Sequence, residues 1–227
     1  MKAVLLSLLA LTLAAGCPAE DAAPATTVPA GPVLVMEYSN PSLSPSHWFI
    51  SLHPDGSGHF RSEEGPSVPA DQATMQIPNL SRDIRLSPAF VESAFRVARQ
   101  QGWFNERCES RMKVAFQGSK TLSYTGPDGR GSCTFNYSRN KDIQTLSDSF
   151  IAVVQTILEG ARLEMLLQHD PLGLDKEIQS LDAASKDGRA QQICVIRGIL
   201  ERLAQDNNVM EVVRKRARLL LARAQST

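Results

Sequence analysis

The chain lacks any excess of charge: Lys and Arg number 24 among 227 residues, and Asp and Glu also 24. A nucleic-acid binder draws affinity from neutralised phosphates and carries a basic surplus, so nucleic acid is not an expected partner. Local signatures of chemistry are missing as well. There is no Gly-x-Ser-x-Gly, His-Glu-x-x-His, P-loop or dinucleotide fingerprint. Ser-x-x-Lys occurs at Ser110–Lys113 and Ser138–Lys141, without the Ser-Asp-Asn and Lys-Thr-Gly partners that such chemistry requires. No cofactor is implied. No apolar run is long enough to cross a bilayer, the leading stretch Ala3–Ala15 included. What remains is globular in composition, 42% apolar and 21% charged, with enough length to bury a core in one or two small domains.

The chain opens with one basic residue, Lys2, then the apolar stretch, then small residues Ala14, Ala15 and Gly16 before Cys17. This has the layout of an export signal over residues 1–16. The segment Leu13-Ala14-Ala15-Gly16-Cys17 resembles the lipobox of bacterial lipoproteins, with Ala14 standing where leucine is usual. That resemblance implies cleavage before Cys17, acylation of its thiol, and a mature protein anchored to a membrane of the cell envelope. The protein would then face the periplasm or the exterior. An ordinary secretory signal, with Cys17 incidental, is the other reading. Residues 17–32 hold four prolines and no apolar periodicity, and read as an extended tether of up to roughly 45 Å.

From residue 33 the pattern predicts an α+β fold. It comprises antiparallel hairpins or a meander packed with amphipathic helices (33–168), then a helical C-terminal subdomain (169–227) with an α-hairpin. Strands are expected at 33–38 and 47–53, the latter with Trp48, Ile50 and Leu52 on one face; Pro54-Asp55-Gly56 turns the chain into a partner strand. Residues 62–81 read as a long polar loop. Ser87-Pro88 opens a helix with Val91, Ala94, Phe95 and Ala98 on one face, closed by Gly102, after which Trp103 and Phe104 fold back on the core. The alternation in 111–117, followed by 120–125 and 132–138, predicts a three-stranded meander. Helices are expected over 141–168, 174–185, 190–205 and about 208–223.

The turns at 53–58 and 126–131 share Pro-Asp-Gly, through common turn chemistry or through a duplicated strands-then-helix unit. The order of elements over 33–160, with its Gly-Trp-Phe after the first helix, resembles uncharacterised secreted bacterial domains. That resemblance implies a fold and no activity.

Candidate residues are few. In an oxidising compartment Cys108, before the second β section, and Cys133, in its last strand, are the expected disulfide. Cys194 lies between Ile193 and Val195 as a small hydrophobe. His53 and His59 bracket the first turn; with Asp55 and His47 they form an incomplete metal set, and exposed hairpin histidines are the simpler reading. Arg214, Lys215, Arg216, Arg218 and Arg223 make the last helix basic, either as a solvated face or as a patch for an anionic partner. Two function classes follow. One is a non-catalytic, lipid-tethered binding module of the envelope; the alternative is an exported hydrolase with an unrecognised active site.

Overall fold

The computed structural model describes residues 31–65 and 79–225, so the leader, Cys17 and all but the last two tether residues lie outside the described residues. Four strands come first, β1 (Val33–Ser39), β2 (His47–Leu52), β3 (Ser57–Glu63) and β4 (Leu80–Arg85), then helix α1 (Pro88–Gln100). Strands β5 (Ser119–Gly126) and β6 (Gly129–Phe135) follow, then helices α2 (Lys141–His169), α3 (Leu174–Lys186), α4 (Arg197–Gln205) and α5 (Glu211–Gln225). The protein is α+β. Its six strands form one antiparallel sheet in the order β4-β3-β2-β1-β5-β6. The first four strands meander to one side, and the chain returns after α1 to pair β5 with the other side of β1.

Local chemistry fixes the helix starts. Ser87 Oγ accepts from the Phe90 N–H at 3.4 Å with Pro88 in the first turn, and Asn140 Oδ1 accepts from the Asp142 N–H at 3.0 Å. Period-2 alternation sends Leu34, Met36, Ile50, Leu52, Phe60 and Leu122 to one face of the sheet, where they are fully buried. Against them pack Ala94 and Phe95 of α1 and Phe150, Val153 and Ile157 of α2. A second core gathers Leu163 of α2, Ile178 and Leu181 of α3, Leu200 and Leu203 of α4, and Val213 and Leu220 of α5. Helix α2, 29 residues and roughly 43 Å long, serves both cores. At their seam Gly160 meets Ile196: a Cβ on Gly160 would lie 2.3 Å from Ile196 Cγ2.

Three expectations from the sequence need correction. Residues 111–117 form no strand. Met112 and Phe116 are exposed, Arg111 has a left-handed backbone (φ 56°), and Asn136 supplies the hydrogen bonds a strand neighbour would have given. The second β section is therefore a two-stranded hairpin. The stretch 62–81 is not all loop: β3 runs to Glu63, and β4 begins at Leu80 with Leu80, Arg82 and Ile84 toward the helices. The helix expected over 190–205 starts at Arg197. Before it, Gln192 takes φ 54° and a 3-10 turn covers Ile193–Ile196. There Gln192 Oε1 accepts from the Ser87 N–H (2.8 Å), while Thr156 Oγ1 donates to the Gln191 carbonyl (2.6 Å), so ties to α1 and α2 override the helical pattern.

Of the two readings of the Pro-Asp-Gly turns, common turn chemistry is the one the fold supports. Asp55 Oδ1 accepts from the Ser57 N–H (3.0 Å), whereas Asp128 accepts from the Tyr124 hydroxyl. Four strands precede α1 and two precede α2. The likeness is turn chemistry and not a repeated unit.

Cys108 and Cys133 are disulfide-bonded, with Cα atoms 5.7 Å apart. The bridge fastens an irregular segment along the outer edge of β6, where Asn105 Nδ2 donates to the Arg130 carbonyl (2.8 Å) and the Ser110 N–H to the Tyr137 carbonyl (2.9 Å). This covers an edge strand that would otherwise offer unpaired backbone groups.

Candidate functional site: the polar face of the sheet

The sheet's second face carries the alternate residues of each strand, all half-buried or exposed. Strands β5 and β6 contribute hydroxyls, among them Thr121 and Thr134 paired at 2.9 Å. Strands β1 to β4 contribute histidines, acids and arginines, arranged in cross-strand rows by the register.

One row is Glu37, His47 and Glu63. His47 lies opposite Glu63, with Nε2 2.8 Å from Glu37 Oε1 and Nδ1 3.6 Å from Glu63 Oε2. The two carboxylates sit at opposite ring nitrogens and cannot converge on one ion. The second row is His59 and Asp83, directly opposite in register, with Nδ1 2.8 Å from Asp83 Oδ1; the other ring nitrogen, Nε2, is 3.0 Å from Ser81 Oγ. Arg61 lies directly opposite Ser81. Phe49, His59, Arg61, Glu63, Leu80 and Ser81 line a shallow depression of about 380 Å³. A hydroxyl, an imidazole and a carboxylate in this order have the connectivity of a nucleophile, its base and the acid that orients the base. Asp83 is 97% exposed, so solvent screens its charge and weakens its hold on the imidazole.

The sequence-derived candidates are distributed as follows. Both nitrogens of His59 are engaged by β4 and none by His53, whose Nδ1 is buried without a partner. Among the described residues no cluster of three or more His, Cys, Asp or Glu is poised to hold a metal. Asp55, in the turn, is held below the usual carboxylate range, foremost by the Ser57 hydroxyl. The basic residues of α5 are largely neutralised within the fold. Arg214 pairs with Glu211 at 2.5 Å, Arg216 with Asp175, Arg218 with Glu211 at 3.4 Å and Arg223 with Asp182 at 2.6 Å. Lys215 is exposed, with no ion pair among the described residues. Cys194 is half-buried in the 3-10 turn beside the second core.

Two buried ionisable groups were not legible as such. Lys120 is 2% exposed on the helix side of β5. Its Nζ donates to the Asn136 carbonyl (2.9 Å) and lies 5.9 Å from the Phe135 ring centre; desolvation lowers its pKa. Glu159 of α2 is 4% exposed and meets Glu177 of α3, with Arg162 3.2 Å from Glu159 and 3.5 Å from Glu177. Burial first, then the neighbouring carboxyl, push Glu159 up to about 8.

The chain matches no protein-family model and no curated protein.

Proposed function

We propose that this is an exported protein, cut before Cys17, acylated there and held on a membrane of the cell envelope, facing the periplasm or the exterior. Its folded part works as a non-catalytic module that binds an envelope partner. The observation that carries the reading is the apolar leader ending in Ala14-Ala15-Gly16-Cys17, followed by the proline-rich tether. The Cys108–Cys133 bridge supports it, since such bonds persist in oxidising compartments. The polar sheet face is the surface the reading assigns to binding, with the Glu37–His47–Glu63 row at one end of its strands.

Fractionating cells that express the protein and its Cys17→Ala variant tests the anchor. The parent stays with the membrane pellet and its intact mass includes palmitate-type chains. The variant is released. A variant that remains in the pellet, or a parent of unmodified mass, overturns the anchor.

One observation favours a second reading, an exported hydrolase: the Ser81–His59–Asp83 row beside the depression. Hydrolysis of p-nitrophenyl acetate, abolished by Ser81→Ala and by His59→Ala, supports it. Turnover equal in parent and variants removes it.

A further inference from the structure

The segment 111–117 has no regular secondary structure, yet it is pinned on several sides. Asn136 is the main clamp. Its N–H donates to Glu109 Oε2 (2.7 Å) and its carbonyl accepts from Lys120 Nζ (2.9 Å). Its side-chain oxygen accepts from the Gln117 N–H (2.7 Å), and its Nδ2 donates to the Ala115 carbonyl (3.0 Å). The Tyr38 hydroxyl donates to the Gln117 carbonyl (2.7 Å), and the disulfide fixes the approach at Cys108. Folding has already ordered this backbone, so a ligand of the loop does not have to order it.

The pinned loop holds apolar side chains out in water. Phe116 is 63% exposed and Met112 46%. Between and beside them stand Arg111 and Lys113, both exposed and in no ion pair among the described residues. Leu43, 48% exposed, sits in the β1–β2 connection at the same end of the sheet. Single exposed apolar residues are ordinary; an aromatic and a methionine on one immobilised loop with two uncompensated cations form a more specific surface. Apolar tips with flanking cations match a bilayer interface, where acyl chains take the tips and anionic headgroups the cations.

We infer that the loop 111–117 docks on the anionic lipid surface of the bilayer that holds the anchor, with Phe116 and Met112 entering the interface. This rests on the lipid-anchor reading. The tether joins the sheet at Val33, the end of β1 opposite to this loop, as the pairing of Ser39 with Ser119 fixes. Seven residues of β1 span roughly 23 Å. Fifteen residues between the anchor and β1 could span up to roughly 45 Å at polyproline rise, a length that would let the far end of the sheet turn back to the same membrane.

The test uses the full-length acylated protein carrying Phe116→Trp in vesicles, with parent emission subtracted to remove Trp48 and Trp103. In vesicles containing phosphatidylglycerol the added indole emission moves to the blue and is quenched by about half with brominated acyl chains, as for a side chain at the headgroup–acyl boundary. Adding Lys113→Glu, or using phosphatidylcholine alone, reduces the quenching. The same substitution in the Cys17→Ala full chain reads the contact without the anchor. Quenching that survives there supports the loop even where flotation shows the anchor reading to be wrong. Unquenched, water-like emission in both forms overturns the inference and leaves the anchor to be judged by flotation alone.

Discussion

Glu159 and Glu177 share a single guanidinium, and the buried Glu159 Oε2 and Glu177 Oε1 have no hydrogen-bond partner. A proton on Glu159 supplies the donor that these oxygens lack. Folding raises the Glu159 pKa from 4.5 to about 8, so this group favours the fold while protonated. Its contribution is complete below about pH 4.5 and is lost as pH rises through 8. Glu159→Gln keeps the shape and removes the charge. We expect it to raise unfolding stability by about 1–3 kcal/mol at pH 8 and to change little at pH 5, measured by denaturant titration at both values. An unchanged pH slope in the variant would show that the pair does not hold the proton. None of this was legible beforehand, because a glutamate inside an amphipathic pattern looks like a solvated face until the helix that buries it is placed. The His59 row was hidden for a similar reason: Ser81 and Asp83 lie 22 and 24 positions away and meet the ring through strand register alone.

Elements with local punctuation were read well. The cap at Ser87 and the apolar spacing behind it announce α1 in sequence alone, and apolar spacing announces α2. Strand β4 escaped because its inward positions include Arg82, whose guanidinium is taken up by Glu164 of α2 (3.1 Å from Nη1) and gives no apolar signal. The segment 111–117 misled for the opposite reason: it alternates without burying either set. At the helix–turn junction, Gly160 lets α2 approach Ile196 closely, with its Cβ position occupied by the neighbour's methyl. Gly160→Ala gains helix propensity of about 1 kcal/mol and loses more to overpacking. The expected outcome is a net loss of about 1–2 kcal/mol, whereas Gly198→Ala, with open space around it, shows no such loss. Thermal unfolding of the two variants side by side checks this.

For the molecule as a whole, the cross-link and the two cores decide how it comes apart. Removing the bridge with Cys108→Ser and Cys133→Ser costs about 3 kcal/mol on the chain-entropy account, and lowers Tm by roughly 6–12 °C for a chain of this size. Calorimetry of the variant, or of the parent under reductant, measures it. The unlinked protein should also associate at high concentration, since the strip guarding β6 is then held by hydrogen bonds alone.

Helix α2 has a consequence for the order of events during synthesis. Residues of α2 up to Ala161 complete the sheet's core and those from Leu163 on open the helical core, so each hydrophobic assembly waits on its own stretch of that single rod. A chain halted near position 140 would leave the inner side of its sheet covered by α1 alone, and one halted near 190 would still lack α4 and α5, which complete the helical core. Under the proposed export, a channel that threads unfolded polypeptide would suit such a chain, because its helical core closes only when α5 arrives.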